Sequence, residues 1–108
     1  FAVNIIAKAF PLEEGDEILA TALTCTASNF PILSNGLKIK WVDIDHTTLN
    51  MDLDDLARKI TNKTKAIFIV HWGGYPIDLD KIACISPEMR GQSLPNFPDF
   101  TAIHTIQV

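Results

Sequence analysis

Three short stretches hold the side chains with chemistry to offer. Thr24-Cys-Thr-Ala-Ser28 packs hydroxyls and a thiol into one run. At the start of a helix such a run can meet an anion, because the N–H groups of the first turn have no intrahelical partner. The same residue types also serve as helix caps and turn formers, which is their commoner use. Asp43 and Asp45 stand two apart, so in an extended strand they share one side and can act as a carboxylate pair; a turn-forming D-x-D is the plainer alternative. In His71-Trp-Gly-Gly-Tyr75, His71 can act as acid, base or ligand, although a histidine hydrogen-bonded at a strand end is more frequent. Gly73-Gly74 lets the backbone turn sharply or approach a ligand closely, and Trp72 and Tyr75 can cover the end of a sheet. His46, His71 and His104 lack the spacing of a metal site.

These stretches can cooperate only if the intervening elements bring them to one place. Val3, Ile6, Ala7 and Phe10 fall on one face of a helix that Pro11 and Gly15 close. Asp16 to Thr21 reads as a short strand. Thr24 to Leu33 reads as a helix capped by Thr24 or Thr26, irregular at Pro31 and stopped by Asn35-Gly36. Lys38 to Ile44 is a strand and His46 to Asn50 a turn. Asp52 caps a helix with an apolar face of Leu53, Leu56, Ala57 and Ile60, and Asp55 completes a capping box. Ala66 to Val70 is a third strand, and Asp78 caps a short helix over Leu79 to Ile85. Strands alternating with helices predict an α/β fold with a parallel sheet and helices on both faces, and the apolar run Ile67-Phe-Ile-Val70 suits a strand buried on both sides. Ligands of such sheets bind beyond the carboxyl ends of the strands, where 21–28, 43–48 and 71–75 all fall.

The chain of 108 residues is expected to be one partial domain: strand–helix repeats over 1–85, an irregular proline-containing linker over 86–98 and an additional strand over 99–108. It begins inside one element and ends inside another, so it reads as an excerpt of a larger domain. At 47% hydrophobic and 20% charged residues it has a globular composition. A net charge of −4 with scattered lysines argues against a nucleic-acid partner. No apolar run reaches the roughly 18 residues of a membrane span, and the first residues lack the pattern of a signal peptide. Cys25 and Cys84 form no C-x-x-C, so reduced thiols and a cytoplasmic location are expected. Asn62-Lys-Thr64 matches a short glycosylation sequon of little weight in such a chain.

Taken in order, GDEILATALTCTASNFPILSNG, VDIDHTTLNMDLDDLARKITNKTKAI and VHWGGYPIDLDKI resemble the DegT/DnrJ/EryC1/StrS family of sugar aminotransferases. The GDE, TLN, TKAI and VHxxGxPxDLD pieces carry the likeness, and the ordered set is far more specific than any one of them. The stretch from Arg90 to Thr101 looks like the family's RGxxxGNxxDFT segment, and Thr105-Ile-Gln107 like its SFQ run. The resemblance implies a parallel-sheet α/β/α piece of the aspartate aminotransferase-like, type I large domain. It implies pyridoxal phosphate (PLP) as cofactor, an amino-acid donor and a nucleotide-linked keto sugar as substrates, and a homo-oligomer, at least a dimer. Cys25, Thr26, Thr105 and Gln107 are the cofactor-binding positions it implies; His71 frames the pocket in a structural role.

The sequence departs from the family pattern in four places. The phosphate-binding GT segment is not among these residues. Between Ile82 and Glu88 the family has a further helix and a strand ending in an EDxA-type run, whose aspartate pairs with the pyridine nitrogen; about 25 residues are missing by the length such a unit needs. The Schiff-base lysine is expected a few residues beyond Val108. Cys25 stands where many members stack an aromatic on the cofactor. A truncated chain, inactive by itself, is therefore expected, with a non-catalytic binding or dimerisation remnant of the same fold as the alternative.

Overall fold

The computed structural model describes residues 12–85 and the backbone of residues 101–106. The helix expected over Val3–Phe10, the linker expected over 86–98 and Gln107 lie outside the described residues. Four strands, β1 (Glu17–Thr21), β2 (Lys38–Val42), β3 (Thr64–His71) and β4 (Thr101–Ile106), form one sheet in the order β2-β1-β3-β4. Every pairing is parallel, with Leu19 opposite Lys40 and Ile67, and Val70 opposite Thr105. Among the described residues three helices lie between them: α1 (Thr26–Ser34), α2 (Leu53–Lys59) and α3 (Leu79–Ile85).

The period-2 alternation of the strands divides the core into two layers. Ile18, Ala20, Ala66, Phe68 and Val70 pack with Ile32 of α1 on one face. Leu19, Ile67 and Ile69 pack with Leu56 of α2 and Ile82 of α3 on the other. Both faces of β3 are thus covered, which is why its central run from Ala66 to Val70 is uniformly apolar. The expected parallel α/β/α architecture is the one found.

Helix boundaries differ from expectation where capping is concerned. Thr26 is the first residue of α1, and the cap position belongs to Cys25, in extended geometry (φ −64°, ψ 140°) with no side-chain cap bond. Pro31 lies inside α1 without ending it. The stop at Asn35-Gly36 is as expected, and its geometry is a Schellman motif: Leu37 N–H donates to Ile32 O at 3.3 Å and Gly36 N–H to Leu33 O at 3.0 Å. Asp52 caps α2 through the N–H groups of Asp54 and Asp55. Asp55 does not close a capping box. Its carboxylate instead accepts the Asp43 N–H at 2.8 Å, fastening α2 to the end of β2. Asp78 caps α3 by accepting the Lys81 N–H at 2.8 Å.

Candidate active-site edge at the strand carboxyl ends

The carboxyl ends of β1, β3 and β4 are neighbours in the sheet, and each of the three stretches read from the sequence as chemical leaves it at that end. β1 passes through a turn into Cys25 and α1, whose start is tied back by Asn29 Nδ2 donating to Thr21 O at 3.1 Å. Cys25 and Thr26 are both exposed. Because the cap is a cysteine without a cap bond, no side-chain cap covers the positive end of α1. Asn29 Oδ1 is a buried acceptor with no hydrogen-bond partner beside this end. Thr105 lies on β4, its backbone paired with Val70. One strand, β3, therefore separates β1, which leads into Cys25 and Thr26, from β4, which carries Thr105, a distance of about 10 Å from β1 to β4.

β3 leaves the sheet through His71 into a tight turn, Trp72–Gly74, with Gly73 at φ +58° and Gly74 at φ +78°. A Cβ on either glycine would meet nothing within 4 Å, so the backbone conformation, and not crowding, is what calls for glycine. His71 is placed structurally: its Nδ1 accepts the Ile77 N–H at 3.2 Å. The turn is also held from outside by Asn50, 4% exposed, whose side chain accepts the Trp72 N–H at 2.9 Å and donates to Tyr75 O at 3.0 Å. Asn50 is the residue that sequence reasoning missed. Its only signal in the sequence is its place in TLN; in the structure it follows Leu49, whose φ is positive (60°).

Asp43 and Asp45 do not act as a carboxylate pair. Asp43 Oδ1 accepts the adjacent Ile44 N–H at 2.8 Å. Asp45 folds the 45–50 loop by accepting the N–H groups of Thr47 (2.7 Å) and Thr48 (3.1 Å), which hold its carboxyl below the usual carboxylate range. A groove of about 610 Å³ lies between this loop and 75–81, lined by Asp45, Asp52, Asp54 and Asp78 with Tyr75 and Lys81. Lys81 Nζ sits 3.0 Å from Asp54 Oδ1, and this bond raises the lysine's pKa. So many carboxylates repel a phosphate, and the groove does not suit PLP. The start of α1 does suit it: an exposed thiol and hydroxyl stand at a helix start whose cap residue makes no side-chain cap bond, a neutral donor set compatible with a planar ring and its anionic substituent. Among the described residues no hydrogen bond or ion pair joins a lysine side chain to Cys25 or Thr26. Lys40 and Lys59 are engaged by Glu17 and Asp55, and Lys38 and Lys65 stand at the amino ends of β2 and β3.

Parallel α/β/α layers with a candidate site at the strand carboxyl ends are shared by several open-sheet folds, and the large domain of the type I PLP fold is the one that the solved structures similar to this chain have. The profile of the DegT/DnrJ/EryC1/StrS aminotransferase family matches residues 1–90, and the chain belongs to that family. It is 45% identical over 74 residues to the GDP-4-keto-6-deoxy-D-mannose 3-dehydratase of Yersinia pseudotuberculosis, a match covering 68% of this chain and 19% of the relative. Among solved structures it resembles the sugar aminotransferase CalS13 from Micromonospora echinospora (TM-score 0.76, 41% identity, 94% of this chain and 27% of that one). It likewise resembles the E. coli GDP-4-keto-6-deoxy-D-mannose-3-dehydratase with bound hydrated PLP (TM-score 0.79, 33% identity, 94% and 25%). The chain spans about a fifth of the length of the curated relatives it matches. Among the described residues no helix is long and apolar enough to cross a membrane.

Proposed function

We propose that these residues are one part of a single large domain in a cytoplasmic, self-associating PLP enzyme that moves an amino group from an amino acid to a keto group on a nucleotide-linked sugar. The substrate class is carried over from the relative named for GDP-4-keto-6-deoxy-D-mannose. The observation that carries the reading is the neighbourhood of the β1, β3 and β4 carboxyl ends, which sets Cys25 and Thr26 on the same edge of the sheet as Thr105. PLP, when bound, supplies the electron sink for the reacting carbon. Cys25, through its thiol, and Thr26, through its hydroxyl, would help to hold the cofactor, and Thr105 and Gln107 are the further residues assigned to it. His71 and Asn50 hold the turn between them.

We further propose that a polypeptide of these 108 residues does not turn over by itself. Transamination would need a lysine amine to hold the cofactor and to carry the proton at the reacting carbon. Lys81 is the described lysine nearest the carboxyl-end loops, and its ammonium is held charged by Asp54.

Differential alkylation tests the site. PLP is expected to slow labelling of Cys25 and to leave Cys84, on α3, unchanged. Equal labelling of Cys25 with and without PLP overturns the assignment. Borohydride reduction followed by peptide mass mapping is expected to yield no stoichiometric pyridoxyl-lysine; such an adduct at Lys81 overturns the inactivity.

A further inference from the structure

We propose that Asn35-Gly36 is a latent site of covalent self-modification, closed by the C-terminal end of α1 and opened when that end unravels. The step is intramolecular. The Gly36 amide nitrogen attacks Asn35 Cγ, a nitrogen–carbon bond forms, the Cγ–Nδ2 bond breaks, and ammonia leaves carrying the proton from Gly36. Water then opens the cyclic imide at either carbonyl, leaving aspartate or isoaspartate at position 35. No electrons are exchanged, and water is the only co-reactant. Glycine after asparagine suits the attack because no side chain shields its nitrogen, and Gly36 is exposed.

The fold blocks the step in three ways. Closing a five-membered ring requires Asn35 Cβ and the Gly36 nitrogen to come nearly eclipsed about the Cα–C bond. At φ −94° and ψ 12°, Asn35 holds them far from that arrangement. The attacking nitrogen is engaged, since Gly36 N–H donates to Leu33 O at 3.0 Å. The side chain under attack is turned away, its Nδ2 donating to Pro31 O at 2.6 Å. All three restraints belong to one unit. Gly36 takes φ +74° to complete the Schellman motif, and its carbonyl accepts the Gly15 N–H at 2.8 Å, joining the end of α1 to the turn before β1. Loss of that unit removes the restraints together.

Modification would also prevent the unit from closing again. Isoaspartate lengthens the backbone by a methylene, which throws Gly36 N–H out of register with Leu33 O. Either product puts a carboxylate beside the C-terminal carbonyls of α1, where a negative charge is unfavourable. The unmodified helix end thus protects itself, and a modified one stays open.

The test compares conversion at Asn35 in the intact chain, by peptide mass mapping and enzymatic isoaspartate methylation, in mildly alkaline buffer with and without unfolding urea. Asn62, followed by Lys63, is the internal control. Conversion at Asn35 is expected to be faster in urea by on the order of tenfold or more, because only the open state reacts, and to exceed that at Asn62. Equal rates in the two buffers overturn the gating, and conversion in urea no faster than at Asn62 overturns the site.

Discussion

Asp55 shows how one side chain can be read correctly as structural and still be given the wrong partner. Three residues after a capping Asp52, it has the position of a capping-box carboxylate. Its actual first partner is the N–H of Asp43, twelve residues upstream, a contact no local pattern encodes. That bond, followed by the one from Lys59, holds the Asp55 carboxyl below the usual carboxylate range. Arg58 and Lys59 also pair with it, but Arg58 is mostly exposed and Lys59 about one third exposed, so their ion pairs add little. A carboxyl depressed in the folded state contributes stability that is fully present above its unfolded pKa, about 3.9, and is lost as the pH falls through the folded value. Asp55→Asn is therefore expected to cost on the order of 1–3 kcal/mol at neutral pH, and to flatten the loss of stability below about pH 4. Urea midpoints across that range check it; a variant profile parallel to the wild type's overturns the assignment. Asn50 was illegible for the same reason as Asp55, since its partners at Trp72 and Tyr75 lie more than twenty residues away. His71 was legible because a strand-end histidine is constrained locally, here by Ile77.

At the scale of elements, what could be read was whatever the side-chain period determines. The alternation through Ile18, Leu19 and Ala20 and the run from Ala66 to Val70 assign two core faces, and the structure fills both. Strand order is another matter. Nothing in the period says that β1 lies between β2 and β3, or that β4 lies directly beside β3, because any of these strands is apolar enough to be a neighbour of any other. Helix starts were misplaced where the cap is backbone-driven, as at Cys25, and correct where a carboxylate does the capping, as at Asp52 and Asp78. The end of α1 was correctly expected at Asn35-Gly36, and it carries an element-level prediction. A Cβ at Gly36 would lie 2.9 Å from Glu14 Cγ, and the residue sits at φ +74°. Gly36→Ala is expected to cost about 1–2 kcal/mol for the left-handed backbone, plus the displacement of Glu14. Adding Glu14→Ala should recover only the second part, as Glu14 is exposed and can be removed without opening the core. A double variant whose urea midpoint equals the sum of the two single changes would show that the contact is not felt.

For the whole molecule, the covered and uncovered surfaces decide how the chain behaves in solution. The two layers bury Phe68, Ile18, Leu19, Ile32, Leu56, Ile67 and Ile69 almost completely, so the described core is closed. The outer surface is not correspondingly polar. Phe30 and Leu33, three apart on α1, are 61% and 54% exposed, and Trp41 on β2 is 47% exposed. Among the described residues β2 and β4 are the two edges of the sheet, and a sheet edge offers backbone groups to a further strand. Lys38 and Lys40 protect the β2 edge against strand addition, which leaves the apolar face of α1 as the surface with most to gain from contact. Burying Phe30 and Leu33 against a second copy removes apolar area that contributes about 25 cal/mol per Å². The chain is therefore expected to self-associate in a concentration-dependent way, and Phe30→Ser with Leu33→Ser to shift it towards monomer without loss of helical content, since neither residue belongs to the buried core. Light scattering over a wide concentration range, with circular dichroism of both forms, checks this. A wild-type chain that stays monomeric at the highest concentration, or a doubly substituted chain that associates equally well, overturns it.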